Sequence, residues 1–260
     1  MEDFFKKAYD VALLATKEAA KIQLEYMKKP LEIQSKSCEF DLVTQADKLC
    51  EAKIIEVISS VFKEHSFLGE ESGENIKQSD YLWIIDPIDG TINYAHRFPN
   101  FCSSIALYYK GEPVVAIVNN PCTNECFSAI KGQGAFLNDE KISVSSIDSL
   151  TKALLATGFP ALKGNLLQKN IDNFTNFLGK CQAIRRPGSA ALDLCYVAAG
   201  RIDGFWELGL SPWDTAAGAL IVKEAGGTIT NLDNEQFDPY IKGLIATNGL
   251  LHNQMKEILL

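Results

Sequence analysis

Histidine is scarce in this sequence: His65, His96 and His252 are the only three in 260 residues, and no two stand at HxxxH or HxH spacing. A histidine-held zinc centre is therefore not expected. Cationic excess is missing too, because 33 acidic residues face 25 basic ones for a formal charge of −8. That makes bulk attraction to a nucleic-acid backbone a poor default. The seven cysteines, Cys38, Cys50, Cys102, Cys122, Cys126, Cys181 and Cys195, offer no CxxC spacing and no paired framework. They read as reduced, mostly buried thiols of a cytoplasmic protein. No stretch reaches the roughly 18 uncharged apolar residues of a membrane span. Acidic Glu2 and Asp3 stand where an export signal would need basic residues, so neither a membrane segment nor a signal peptide is expected. Gly132-Gln133-Gly134 and Lys163-Gly164 form no Walker motif, and no repeat or low-complexity linker interrupts the chain.

What is present is enough apolar material, 47% of residues, to fill a sizeable core. Residues 4–26 place Phe4, Ala8, Val11, Ala15, Ile22 and Tyr26 on one helical face, with Pro30 soon after. After the polar Ser35-Lys36-Ser37, Thr44 and Asp47 make a capping-box pattern before Ile54, Ile55, Ile58, Val61 and Phe62, predicting a second helix to about His65. Short apolar runs at 81–85, 104–109, 114–118 and 126–130, separated by Gly, Pro and Asn, then predict a largely antiparallel sheet. Beyond Leu150 strands are expected at 153–156, 182–186 and 202–206, alternating with helices at 165–179, 189–199 and 212–225. The chain thus reads as mixed α/β, with an α+β half at 1–145 and an α/β half at 146–260. The seam lies at 141–149 and the halves pack as one unit.

The chemistry concentrates in acids at element ends. Trp83-Ile84-Ile85-Asp86-Pro87-Ile88-Asp89-Gly90-Thr91 is an apolar strand closing on two carboxylates three residues apart, with Pro87 expected to stop the ladder after Asp86. Clustered carboxylates with the Ile88 carbonyl between them suit a hard cation such as Mg²⁺. The same residues also suit a plain turn. Phe67-Leu68-Gly69-Glu70-Glu71-Ser72 sets two more acids after a probable strand. Ser211-Pro212-Trp213-Asp214 opens a helix in which Asp214 is a capping-box acid followed by the small Ala216, Ala217 and Gly218. Thr91 has a plain N-cap role open to it, as does Ser189 at the head of a helix ending near Gly200. Taken by itself, Glu207 reads as a solvated loop acid. Cys122 and Cys126 read as structural.

Taken in order, Asp41-Leu42-Val43-Thr44-Gln45-Ala46-Asp47, Gly69-Glu70-Glu71-Ser72, Asp86-Pro87-Ile88-Asp89-Gly90-Thr91-Ile92-Asn93-Tyr94 with His96-Arg97-Phe98-Pro99, and Trp213-Asp214-Thr215-Ala216-Ala217-Gly218 resemble the motifs of the inositol monophosphatase family. Ala156-Thr157-Gly158-Phe159-Pro160 and Arg185-Arg186-Pro187-Gly188-Ser189-Ala190-Ala191-Leu192-Asp193 extend the resemblance, most of all to bacterial members. It implies a layered αβαβα sandwich and Mg²⁺-dependent hydrolysis of phosphate monoesters, with two or three Mg²⁺ per active site. Glu70, Asp86 and the Ile88 carbonyl would hold one ion, and Asp86, Asp89 and Asp214 a second. A third, weaker ion would lie near Glu70. Glu70 and Thr91 would orient the attacking water, with Asp47 bonded to Thr91 and Glu71 standing behind the ligands. The amides of Gly90 and Thr91 would meet the phosphate, and Asp89, Gly188, Ser189, Ala190, Glu207 and Asp214 would meet the rest of the substrate.

Departures are small. Ile92 stands where many relatives carry Thr, Tyr94 where they carry Phe, and Pro187 replaces a larger residue; none removes a ligand. Inositol 1-phosphate is the substrate the resemblance favours, with fructose-1,6-bisphosphatase or dual-specificity sugar phosphatase activity as the alternative. From another class comes a transcription-associated binding role at RNA polymerase, for which Arg185, Arg186 and Arg201 would supply a basic surface. A homodimer and lithium sensitivity are further implications of the resemblance.

Overall fold

The computed structural model describes residues 2–35, 42–159, 164–232 and 236–259. Lys36, Ser37, Cys38, Asp41, Pro160 and Lys163, which entered the motifs above, lie outside the described residues. Helix α1 (Glu2–Tyr26) is followed by an antiparallel strand pair, β1 (Ile33–Ser35) and β2 (Leu42–Thr44), and by α2 (Gln45–Val61). Next come β3 (Ser66–Gly69), β4 (Gly73–Asn75), β5 (Tyr81–Asp89), the short α3 (Thr91–Ala95), β6 (Cys102–Tyr109), β7 (Glu112–Asn120), β8 (Glu125–Ile130), β9 (Ala135–Leu137) and β10 (Glu140–Ile142). These strands form an eight-stranded sheet in the order β10-β9-β8-β7-β6-β5-β3-β4, antiparallel except where β3 runs parallel to β5.

The remaining elements are β11 (Leu154–Thr157), α4 (Asn165–Phe177), β12 (Ala183–Arg185), α5 (Ala190–Ala198), β13 (Gly204–Leu208), α6 (Pro212–Glu224), β14 (Thr228–Asn231), β15 (Gly243–Thr247) and α7 (His252–Lys256). Their sheet has the order β12-β11-β13-β15-β14. The alternation expected beyond Leu150 accounts for β11 to α6, where β12, β11 and β13 run parallel. The antiparallel β14 and β15 complete the sheet and had no alternating signal, because each face of β15 is buried.

Side-chain alternation along β5 shows how the layers stack. Trp83 and Ile85 point to α1 and α2, joining Ala8, Ala12, Ala15, Ile54 and Ile58. Ile84, one residue out of phase, points to the opposite face, where Leu194, Ala217, Leu220 and Ile221 of α5 and α6 fill the space before the second sheet. On that sheet's far side Leu155, Trp206 and Ile245 pack with Phe177 of α4 and Met255 of α7. The result is the layered αβαβα sandwich. Among the described residues no helix is long and apolar enough to cross a membrane.

Two local expectations need correction. The buried face of α1 is Ala8, Ala12, Ala15, Thr16, Ala19 and Gln23, not the stripe through Phe4, Val11, Ile22 and Tyr26. Close approach of α1 to its neighbours selects the smallest side chains, leaving the larger apolar ones half-buried at the margins. Helix α2 ends at Val61, short of His65, because Phe62 turns away from helical geometry while its N–H still reaches Ile58 O.

Candidate active site

The acids of β5 sit on a distortion. Asp86 lies opposite Ser104 and Asp89 opposite Cys102, so three steps on β5 match two on β6. Pro87 therefore does not end the ladder as expected; it occupies the bulge, where a residue without an N–H is tolerated. Asp86 Oδ1 accepts the Ile88 N–H at 2.9 Å, and the Pro87 carbonyl accepts from Gln23 Nε2 at 2.8 Å. Gln23 is fully buried and was missed by sequence reading; a lone amide ending the stripe Ala8, Ala12, Ala15, Ala19 was its signal.

Gly90 follows in the left-handed region at φ 91°, and a Cβ there would lie 3.0 Å from Asn100 O and 3.2 Å from Gly188 O. Gly90, not Thr91, caps α3. This frees the Thr91 hydroxyl, whose single hydrogen has two acceptors in reach, Ile88 O at 3.0 Å and Asp47 Oδ1 at 3.3 Å. The other oxygen of Asp47 takes the Thr44 N–H at 2.8 Å and the Thr44 hydroxyl at 2.6 Å, so the capping box of α2 delivers an acid to Thr91. Glu70 leaves β3 beside β5, its N–H donating to Ile85 O at 3.2 Å. Asp214 closes the other capping box: its Oδ2 accepts the Ser211 N–H at 2.7 Å. Capping uses one oxygen only. Asp86, Asp89 and Asp214 each present an oxygen within 4.8 Å of the other two.

Asp89 is anchored from the second half of the chain. Its Oδ2 accepts the Ser189 hydroxyl at 2.5 Å and the Ala191 N–H at 2.8 Å, with Cys102 Sγ at 3.9 Å. Ser189 Oγ in turn accepts the Leu192 N–H at 3.4 Å, so it both caps α5 and holds Asp89. Burial raises the Asp89 carboxyl, and these donors oppose the rise. Asp86 is raised well above the usual carboxylate range, by burial first and then by Glu70, Asp89, Asp214 and Asp47, all of them negative. Asp214 is raised by burial and then by Asp89. Such a set of buried oxygen donors fits a hard divalent cation.

Gly188, Ser189, Ala190 and Glu207 form the neighbouring wall. Gly188 is left-handed at φ 91°, and Asn93 Nδ2 donates to Pro187 O at 2.9 Å, tying this loop to α3. Glu207 is not the solvated loop acid its sequence context suggested. It lies within β13 at 9% exposure, because β13 runs two residues further than the apolar run indicated. Burial lifts it to about 8, opposed by Arg186 and reinforced by Asp89. A Cβ on Gly158 would fall 2.0 Å from Glu207 Oε2, so that glycine makes room for the carboxylate. Asp193, also unassigned from sequence, is buried behind this wall and raised by burial and by Glu207.

Other sequence candidates are used elsewhere. Arg201 pairs with Glu125 at 2.5 Å and lies over Phe127 and Tyr196, which takes it out of a shared basic surface with Arg185 and Arg186. The Gly132 and Gly134 amides hold the Glu224 carboxylate, each at 2.8 Å. His65 Nδ1 accepts from Trp83 Nε1 at 3.0 Å, and His252 lies between Thr230 and Thr247. Cys122 Sγ contacts Met27 Sδ at 3.6 Å, and the six described cysteines are free thiols.

A layered αβαβα fold with buried acids gathered at strand and helix ends suits a metal-dependent hydrolase. Residues 6–260 match the sequence profile of the inositol monophosphatase family. The inositol-1-monophosphatase of Synechocystis is 44% identical over 88% of this chain and 80% of its own. The Nus factor SuhB of Escherichia coli K12 is 42% identical over 85% of this chain and 84% of its own. Among solved structures, the extragenic suppressor protein suhB of Bartonella henselae superposes with a TM-score of 0.93 at 38% identity, covering 97% of this chain and 98% of its own. An IMPase/NADP phosphatase complexed with Mg²⁺ and phosphate superposes at 0.87 with 26% identity, over 98% and 95%. The chain belongs to the inositol monophosphatase family.

Proposed function

We propose that the protein is a Mg²⁺-dependent phosphatase that hydrolyses inositol 1-phosphate and related sugar phosphate monoesters by attack of water. The observation that carries this reading is the convergence of Asp86, Asp89 and Asp214 within 4.8 Å at the edge between the two halves. Glu70, Asp86 and the Ile88 carbonyl would hold one Mg²⁺, and Asp86, Asp89 and Asp214 a second; a third, weaker ion belongs near Glu70. When bound, these ions supply the positive charge that a phosphate dianion needs in so acidic a pocket, and they make water more acidic.

The protein's own groups do the positioning. Thr91, its hydroxyl shared between Asp47 and the Ile88 carbonyl, is placed with Glu70 to orient the water for in-line attack. The Gly90 and Thr91 amides face the ester oxygens. Glu207, lifted to about 8 by burial in the metal-free protein, is placed to hydrogen-bond a polyol hydroxyl. The Gly188, Ser189 and Ala190 backbone borders the same hydroxyls. Phosphate release from inositol 1-phosphate tests the reading: turnover with Mg²⁺, loss in chelator and loss in Asp214→Asn support it. Release unaffected by Asp214→Asn would overturn it. A panel including fructose 1,6-bisphosphate and 3'-phosphoadenosine 5'-phosphate ranks the substrates.

A cytoplasmic homodimer inhibited by Li⁺ completes the proposal, checked by sedimentation and by Li⁺ titration of turnover. The catalytic reading is preferred to a role at RNA polymerase because Arg201 is already committed to Glu125. A cellular phenotype that survives Asp214→Asn would reverse that preference.

A further inference from the structure

Glu51 is a buried carboxylate, 2% exposed, that the proposed chemistry leaves unused. It lies on α2 four residues after Asp47, hence on the same helical face. While Asp47 reaches Thr91, Glu51 reaches the strand-end loop beside it: its Oε2 accepts the Glu71 N–H at 2.9 Å and its Oε1 accepts the Ser72 N–H at 2.7 Å. With the Glu70 N–H donating to Ile85 O, three successive amides are fixed, and the backbone on both sides of the Glu70 side chain is pinned. Gly69 belongs to the same device. A Cβ there would lie 2.6 Å from the Glu51 carboxyl carbon and from Oε2, so the acid occupies the space a side chain would fill.

We propose that Glu51 is a positioning residue for the active site: by holding the Glu71 and Ser72 amides against Gly69 it fixes the direction in which Glu70 leaves β3, toward Asp86. This rests on the reading of Glu70 and Asp86 as cation ligands given above. One face of α2 then supports the site at two points, Thr91 through Asp47 and Glu70 through Glu51. The Glu51→Gln exchange keeps the volume but sets an NH₂ group against an amide N–H, so one of the two bonds is replaced by donor facing donor.

The test is Mn²⁺ titration of the full chain, followed by the electron paramagnetic resonance of free Mn²⁺, together with kcat and KM for inositol 1-phosphate. Glu51→Gln is expected to weaken one class of bound Mn²⁺ by roughly tenfold to a hundredfold and to lower kcat comparably, with KM nearly unchanged. Gly69→Ala, which drives a Cβ into the same carboxylate, is expected to reproduce the effect, and the double variant to be no worse than either single one. Gly69→Ala also serves alone if Glu51→Gln fails to fold. Glu224→Gln is the comparison, since Glu224 holds the Gly132 and Gly134 amides in the same manner but away from the site; it is expected to lower thermal stability and leave Mn²⁺ binding intact. Wild-type Mn²⁺ binding in Glu51→Gln or Gly69→Ala overturns the positioning role and leaves the phosphatase reading standing. A wild-type protein that neither binds Mn²⁺ nor releases phosphate overturns both.

Discussion

Asp214→Asn should make the chelator-treated protein more stable while abolishing its activity. Asparagine keeps an oxygen for the Ser211 N–H, so the α6 cap survives and only the charge is lost. Two full charges 4.8 Å apart repel by about 3.5 kcal/mol at an effective dielectric of about 20, and Asp214 has two such neighbours, Asp86 and Asp89. Proton uptake relieves much of this in the wild type, since both Asp214 and Asp86 are raised above their ordinary range. A net gain of about 1–2 kcal/mol is therefore expected in chelator, a rise in Tm of about 2–8 °C. With Mg²⁺ at about a hundred times its Kd the wild type gains about 2.7 kcal/mol and the variant far less, so the order of stability reverses. The sign with pH follows from the raised carboxyl: the folded wild type binds the Asp214 proton more tightly than the unfolded chain, so its stability falls as pH rises above the ordinary value of 3.8. The gap in chelator should widen upward from about pH 4 and close below it. Scanning calorimetry with and without Mg²⁺ decides. A variant less stable than wild type in chelator, or one with the full Mg²⁺ response, would refute the repulsive cluster.

Gly158→Ala puts a Cβ 2.0 Å from Glu207 Oε2 and must displace that carboxylate. The expected result is a KM for inositol 1-phosphate raised by about tenfold, about 1.4 kcal/mol of lost binding, with a smaller change in kcat; steady-state kinetics check it. His65 is held at about 4 by burial, with Lys77 adding to the shift, while its ring accepts the Trp83 N–H and stacks with Phe62 and Tyr81. Its unfolded value of 6.5 lies higher, so protonation costs stability progressively from about pH 6.5 down to about pH 4, by up to about 3 kcal/mol. Urea unfolding of His65→Gln across that range should lack this contribution, and an unchanged slope would assign it to other groups.

The legible parts of the chain were those in which one physical signal dominated. Periods of 3.6 residues found α1, α2 and α4 to α6, and the apolar run ending in Asp86 and Asp89 located the centre of the site. Two capping boxes announced Asp47 and Asp214 through helix chemistry before any catalytic consideration. Three-residue strands such as β4, β9 and β10 carry too little pattern to register, since pairing with neighbours defines them. The burial of Glu207, the anchoring of Asp89 by Ser189 and Ala191 and the grip of Glu51 on the Glu71 and Ser72 amides join residues 20 to 102 positions apart. Local sequence contains no record of such distant contacts. The family motifs named Asp89, Ser189 and Glu207 as substrate-facing residues but supplied none of these contacts. Nothing supplied Glu51, although its place one turn after Asp47 on a buried face was readable.

If Asp89 holds a cation as proposed, its attachment to the head of α5 couples cation affinity to the packing of α5 against β5. Whatever loosens Ser189 and Ala191 from that carboxylate should then weaken ion capture, and by reciprocity a captured ion should hold the head of α5 more firmly. Metal depletion would then do more than silence the enzyme: it should raise hydrogen exchange at the Ala191 and Leu192 amides at the start of α5.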